Sequence, residues 1–178
     1  MNNNSDVILL EQYLPLIDAC DGLTLSQICS ITGLESTTIQ NWVKRGFVPN
    51  PFNKKYGSRQ LARILLINAL RDCMKLESIG ELMRLINGDT DDESDDIVSE
   101  EELYGYFARI MDAADRTSRE DELPKLVKNV LTSYVSEKSE HYERLRASLE
   151  VMAYAYTAGK YKRHADSLLK ILKENNDE

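Results

Sequence analysis

The segment from Thr37 to Lys75 concentrates positive charge in an otherwise acidic chain. The protein has 178 residues, 22 of them basic and 30 acidic, and a net charge of −8. Eight of the basic residues and one of the acidic residues lie in this segment, whereas 14 and 29 lie outside it. The asymmetry predicts that one face binds an anionic partner, which the total charge conceals. The eight basic residues are Lys44, Arg45, Lys54, Lys55, Arg59, Arg63, Arg71 and Lys75.

Few other residues are placed for chemistry. His141 and His164 are too far apart for a zinc-binding pattern, so no metal site is predicted. Cys20, Cys29 and Cys73 form no C-x-x-C pair and lie among apolar residues, which predicts buried free thiols. The sequence has no glycine-rich phosphate loop and no G-x-S-x-G motif. We therefore expect neither an enzyme nor a cofactor.

Two short helices are predicted to position the start of the basic segment. Thr24 is a candidate N-cap with Gln27 three residues later, and Gly33 is suited to end the first helix. The second helix starts after Glu35 or Ser36 and ends at Gly46. Its buried stripe is formed by Ile39, Trp42 and Val43. Because the only tryptophan lies on that stripe, we expect it to pack in the core rather than to stack on a base.

A loop and further helices follow. Residues 47–56 contain Pro49 and Pro51, which exclude a helix and predict an extended, turning segment. A third helix is predicted from about Ser58, and a fourth ends at Gly88. Apolar residues at helical spacing continue to the end of the chain, and no β-rich segment is present. The predicted fold class is therefore mainly all-α.

An acidic stretch divides the chain. Residues 87–102, NGDTDDESDDIVSEEE, contain nine acidic residues and no basic one. Such charges must stay hydrated, so the stretch is predicted to be an exposed linker, and its spacing does not fit a calcium-binding loop. We expect an N-terminal domain at 1–88, the acidic linker at 89–102 and a helical domain at 103–178. In the helical domain, a dimer seam is predicted from Leu145, Leu149, Met152 and Tyr156, and the stretch AYAYTAGKYKRHADSLL predicts a helix-turn-helix hairpin.

The order of these elements is that of a winged helix-turn-helix, in which two helices and a tight turn precede a basic excursion. The motifs are LSQICSITG, the turn Leu34-Glu35, TTIQNWVKRG, the exit Gly46-Phe47-Val48-Pro49, and Tyr56 followed by Gln60-Leu61. In these motifs the segment from Leu23 to Gly88 resembles the DNA-binding domain of the MerR-type bacterial regulators. The whole chain, with its acidic hinge and helical tail, further resembles a bacterial family of unknown function that carries this domain.

The resemblance implies where DNA would bind. Helix 37–45 would lie in the major groove of double-stranded DNA, and the wing, residues 47–57, would contact phosphates. Gln and Asn side chains can pair with adenine, whereas Lys and Arg suit phosphate oxygens. The residues expected to bind DNA are Ser36, Thr37, Gln40, Asn41, Lys44, Arg45, Lys54, Lys55, Arg59 and Arg63.

The sequence departs from the MerR pattern in two motifs. Gln40-Asn41-Trp42 stands where the family often has Arg-Tyr-Tyr, and Phe52-Asn53-Lys54 stands where the wing often has Gly-Tyr-Arg. These departures predict a weaker grip on phosphates than is usual in that family. Polar and helix-breaking residues near 116–122 and 136–141 also interrupt the tail, so a long single dimerisation helix is not expected.

The expected function is that of a sequence-specific transcriptional regulator that binds DNA as a homodimer in the cytoplasm. No apolar run approaches the roughly 20 residues that span a bilayer, and the N-terminus lacks the features of a signal peptide. The alternative is a helical adaptor that binds a protein partner through an apolar stripe containing Tyr104, Phe107 and Met111. The sequence indicates neither an operator nor an effector.

Overall fold

The computed structural model describes residues 7–88, 96–117, 122–136 and 138–175. Eight α-helices account for most of these residues, and the described ranges contain isolated β-bridges but no strand. The predicted mainly helical fold is therefore confirmed. No helix in these ranges is both long enough and apolar enough to cross a membrane. The helices are α1 Leu14–Cys20, α2 Leu25–Thr32, α3 Ser36–Lys44, α4 Ser58–Leu70, α5 Leu76–Asn87, α6 Glu100–Thr117, α7 Leu123–Val130 and α8 Ser139–Glu174.

Helices α2 and α3 begin and end at the residues suited to those positions. The Thr24 hydroxyl accepts a hydrogen bond from the backbone N–H of Gln27 at 3.3 Å, and the Gln27 side chain accepts one from the Thr24 N–H at 2.8 Å. Gly33 and Gly46 follow the two helices with φ of 69° and 74°, a left-handed conformation that favours glycine. The predicted N-cap and both helix ends are therefore confirmed.

Helix α4 lies at the centre of the fold. Its sequence, SRQLARILLINAL, is apolar on nearly every side, which is typical of a helix that is covered all round. It packs against α2 and α5 in the N-terminal half and against α6 and α8 in the C-terminal half. One hydrophobic core consequently runs through both halves of the described chain.

The end of the acidic stretch is packed rather than extended. Helix α6 begins at Glu100, so three residues predicted to belong to the linker form its first turn. Ser58 Oγ donates a hydrogen bond to Glu101 Oε1 at 2.5 Å, which joins this turn to the start of α4. Acidic side chains interact favourably with the positive end of the helix dipole, so a run of glutamates can start a helix. Residues 89–95 lie outside the described residues, and the division into domains stays a prediction.

The cysteines are less buried than predicted. Cys20 and Cys73 are exposed and Cys29 is half-buried, and all three are free thiols. Cys20 is the last residue of α1, and Cys73 lies in the turn after α4. Helix ends and turns at the surface have fewer neighbours to cover them. Apolar residues nearby in sequence therefore did not lead to burial of Cys20 and Cys73.

Helix α8 is one continuous helix of 36 residues, about 54 Å long, where a hairpin was predicted. Gly159 does not form a turn: it is buried, and an added Cβ would lie 3.4 Å from the Cβ of Asp72. Glycine here permits close packing of α8 on the turn that follows α4. The hairpin prediction is wrong because a glycine needed for close packing was interpreted as a helix breaker.

The predicted dimer seam is used inside the chain. Its four residues are at most 4% exposed because they pack against the rest of the helical core. The face of α8 that was predicted to contact a second copy is therefore covered within the chain. The residues concerned are Leu145, Leu149, Met152 and Tyr156.

The buried hydroxyl of Tyr104 gives the fold a pH dependence. It donates a hydrogen bond to the backbone carbonyl of Ile8, and burial raises the pKa of Tyr104. Above about pH 10 the unfolded chain loses this proton while the folded chain keeps it, so stability falls as pH rises, by at most about 1.4 kcal/mol per pH unit. We expect Tyr104→Phe to flatten this fall in urea denaturation at alkaline pH. The parent chain, denatured over the same pH range, is the reference.

Candidate nucleic-acid interface

Helix α3 separates a buried face from a polar face. Ile39 is fully buried and Trp42 is 5% exposed, which confirms that the tryptophan packs in the core. The Phe47 N–H donates to the Trp42 carbonyl at 2.9 Å and fixes the chain as it leaves the helix. The predicted site residues on the other face are all exposed: Ser36, Thr37, Gln40, Asn41 and Lys44.

The loop after α3 is held at its base and turns sharply at its tip. Leu23 and Tyr56 exchange two backbone hydrogen bonds of 2.8 Å, which fix the base beside the start of α2. At the tip, Asn53 and Lys54 have φ of 48° and 62°. The Lys55 N–H donates to the Phe52 carbonyl at 2.8 Å and closes the turn. Lys54 is exposed at this tip.

Helix α3 and the loop together line one open groove of about 570 Å³. Gln40 and Lys44 border it from the helix, and Lys54 borders it from the loop. Asn50 also lines the groove, although the sequence analysis did not predict it as a site residue. Its position between Pro49 and Pro51 could have indicated a role, since prolines restrict the backbone on both sides of it. The full lining is Leu25, Gln40, Val43, Lys44, Asn50, Pro51, Lys54 and Tyr56.

Arg45 lies at the edge of this face and is shared with α5. Its guanidinium pairs with Glu77 at 2.5 Å and lies 4.9 Å from the ring centroid of Phe47. Hydrogen bonds from the backbone N–H of Glu77 and from Arg45 lower the pKa of the Glu77 carboxyl. The Arg45 side chain remains 42% exposed, so it can still contact an anion.

Lys55 is directed back towards the body of the protein. It is half-buried, and its Nζ lies 3.4 Å from the carbonyl oxygens of both Cys20 and Gly22. The structure therefore separates two neighbouring lysines of the sequence. Lys54 extends into solvent, whereas Lys55 braces the loop against the segment between α1 and α2.

Arg59 and Arg63 do not extend the basic face. The Arg59 side chain is 17% exposed, and its Nη2 lies 3.9 Å from Asp96. The Arg63 side chain is 2% exposed, pairs with the fully buried Glu100, and donates from Nε to the Phe47 carbonyl at 2.7 Å. The prediction that Arg63 contacts DNA is wrong in the folded chain. The apolar neighbours of Arg63 in LARILLI could have indicated its burial, because a helix that is apolar on all sides is covered by other helices, and an arginine within it is covered as well.

A family model matches residues 7–107, which is more than half of the chain. The chain belongs to the DUF1836 family. This family is described as a domain of unknown function. The matched range of DUF1836 includes α1 to α5 and continues into α6, so it crosses the acidic stretch that the sequence predicts to be a linker.

The chain is also similar to the uncharacterized protein YkrK of Bacillus subtilis strain 168. The two are 33% identical over 93 residues, which cover 50% of this chain and 40% of that protein. The chain therefore spans less than half the length of this curated relative. No solved structure matches the chain.

Proposed function

We propose that the protein is a sequence-specific DNA-binding transcriptional regulator. In this proposal α2, the turn at Gly33 and α3 form a helix-turn-helix of the MerR type, and the loop at residues 47–57 is its wing. Helix α3 enters the major groove, and the wing lies along the phosphates. The observation that carries the proposal is the groove in which Gln40 and Lys44 of α3 meet Lys54 of the loop.

The chemistry of the exposed face supports a reader of base edges. Gln40 and Asn41 carry amide groups that can donate and accept hydrogen bonds together, as an adenine edge requires. Their helix is anchored by Ile39 and Trp42 on its other side, so the amides project from a fixed support. A rigid support matters because specificity depends on the placement of these groups.

The conformation of Lys54 supports a role for the wing. A residue other than glycine, asparagine or aspartate in the left-handed region costs roughly 1–2 kcal/mol. Lys54 has φ of 62° at the second central position of the tight turn, a position where glycine is favoured. A lysine in this strained position keeps a positive charge at the tip of the loop, where a phosphate would be met.

Fewer basic side chains are available for the proposed phosphate contacts than the sequence predicts. Lys44, Arg45 and Lys54 are exposed on or beside the groove, whereas Lys55 is half-buried and directed towards the carbonyls of Cys20 and Gly22. Each neutralised phosphate contributes about 0.9 to the slope of log affinity against log salt concentration. Three contacts in each copy therefore predict a slope of about −2.7 per copy.

The adaptor alternative loses its proposed contact surface. Tyr104, Phe107 and Met111 are at most 2% exposed, because α6 packs this stripe into the common core. A protein partner cannot reach these three side chains without opening the fold. We therefore retain the DNA-binding proposal.

The proposal is tested by selecting duplexes from a randomised pool with the full chain. We expect enrichment of one sequence class, and binding to it that weakens steeply as salt is raised. Measurement by fluorescence anisotropy at several salt concentrations gives the slope. Recovery of an unenriched pool, or affinity that does not change with salt, would reject DNA binding.

The second test removes the two amides. Gln40→Ala combined with Asn41→Ala should reduce the preference for the selected duplex over random duplex by about 1–3 kcal/mol per lost base contact. The paired hydrogen bonds form only with the correct base, so their loss weakens binding to the selected duplex alone. Binding to random duplex should change little. Asn129→Ala, on the exposed surface of α7, is the matched control and should bind both duplexes as the parent does. Equal loss on both duplexes would contradict a role in sequence recognition.

A further inference from the structure

A recess of about 240 Å³ lies where the segment before α1 meets α4, α6 and α8. It shares no lining residue with the groove between α3 and the loop at residues 47–57. An apolar cavity of about 150 Å³ holds one benzene molecule. On that scale the recess has room for a molecule of about ten non-hydrogen atoms, which is a ring with a short substituent.

The inner wall of the recess is aromatic and apolar. Phe107 and Tyr156 meet edge to face, with ring centroids 5.6 Å apart and an angle of 90° between the rings. Leu65 and Tyr104 complete this wall, and all four side chains are at most 4% exposed. The surrounding core therefore holds the wall in place. Such a wall suits an aromatic ring, because rings pack favourably edge to face or offset against each other.

The rim of the recess carries more positive than negative charge. Arg163 pairs with Asp72, and its Cζ lies 5.8 Å from the ring centroid of Tyr156. A guanidinium has five N–H donors, so one carboxylate leaves several of them available. The Arg71 side chain is exposed and forms no hydrogen bond or ion pair with any residue that the structure describes. Two cations and one anion at the rim leave a net charge that one carboxylate would neutralise.

Gly159 of α8 allows the ion pair to form at this place. An added Cβ would lie 3.4 Å from the Cβ of Asp72 and 3.6 Å from Nη1 of Arg163. A side chain here would crowd both partners. The pair alone would be enough to fasten α8 to the turn after α4, but Arg71 has no part in that contact. A second arginine at the same rim indicates an additional anionic partner.

We propose that the recess binds a small monocarboxylic acid that carries an aromatic ring. The ring packs on Phe107 and Tyr156, and the carboxylate lies at the rim between Arg71 and Arg163. Arginine suits this contact because its planar guanidinium can donate two parallel hydrogen bonds to a carboxylate. Asp72 already fixes the Arg163 guanidinium, so little side-chain entropy is lost on binding. This site does not depend on DNA binding.

Calorimetric titration of the full chain without DNA tests the site, with phenylacetate as the probe. Phenylacetate combines a ring with a carboxylate and has the size that the recess holds. We expect one site with a dissociation constant below about 1 mM. Phenylacetamide has the same shape without the charge and should bind at least about 10-fold more weakly. A weaker dissociation constant for phenylacetate, or equal affinity for the two compounds, would overturn the proposal.

Two variants test whether the probe occupies this recess. Arg71→Gln should raise the dissociation constant of phenylacetate by about 10-fold, because a hydrogen bond to a charged group is lost. Its control is Arg116→Gln, at a side chain of α6 that is 72% exposed, which should bind as the parent does. Ala69→Leu places a larger side chain at the half-buried lining position of α4 and should abolish binding. Its control is Ala165→Leu, at an exposed position of α8.

Circular dichroism shows whether each variant keeps the fold of the parent. Because Arg71 is exposed, its replacement tests the site even if Ala69→Leu does not fold. Unchanged binding by Arg71→Gln, or by a folded Ala69→Leu, would place the probe elsewhere and overturn the assignment of this recess.

Discussion

Replacing Arg63 with methionine is expected to lower the free energy of unfolding by roughly 3–5 kcal/mol. The guanidinium is 2% exposed and pairs with Glu100, which is fully buried. Removal of the arginine leaves a carboxylate without its counter-charge inside the core, and it also removes the hydrogen bond to the Phe47 carbonyl. Urea denaturation followed by circular dichroism measures the loss.

Two further variants distinguish a buried charge from a general loss of packing. Arg63→Met combined with Glu100→Leu should recover most of the stability, because neither charge is then left alone. Arg116→Met removes an exposed partner of Asp112 and should cost less than about 1 kcal/mol. If Arg63→Met were as mild as Arg116→Met, the buried pair would not contribute as described.

The second large effect is expected at Trp42. Trp42→Ala should lower the free energy of unfolding by roughly 3–5 kcal/mol, because it empties a large volume between α3 and the core. The cavity lies directly under the polar face of α3, so we expect α3 to be displaced more than the helices farther away. Circular dichroism is the suitable probe, since this variant lacks the only tryptophan.

A conservative variant separates volume from the indole group. Trp42→Phe retains an aromatic ring on the buried stripe and should lose clearly less stability than Trp42→Ala. Asn41→Ala, at the exposed neighbouring position, should change stability by no more than about 0.5 kcal/mol. Similar losses at positions 41 and 42 would contradict the assignment of a buried and an exposed face to α3.

Local patterns in the sequence predicted the N-terminal helices well. Thr24, Gly33 and Gly46 form caps and ends through contacts within a few residues, so their roles can be inferred without the rest of the fold. The buried stripe of α3 follows from the helical period alone. The residues that the resemblance places on the outward face of this helix are exposed: Ser36, Thr37, Gln40, Asn41 and Lys44.

Contacts between distant segments could not be predicted in this way. Arg63 is apart from Glu100 in sequence, and only the packing of α6 on α4 brings the two charges together. The number of basic residues in the segment therefore overestimated the positive charge exposed on one face. Helix α8 shows the same limit, since apolar residues occur on several of its sides and only the fold determines which of them are packed internally.

The contact between Arg63, Phe47 and Glu100 has a consequence for dissecting the molecule. A fragment that stops at residue 88 would retain the arginine but not the carboxylate that neutralises it, and it would uncover the side of α4 against which α6 packs. We therefore expect the N-terminal segment to be unstable when it is separated from α6. Whatever it recognises, it recognises as part of a larger folded unit, and shortened versions of the chain are expected to be poor substitutes for the whole.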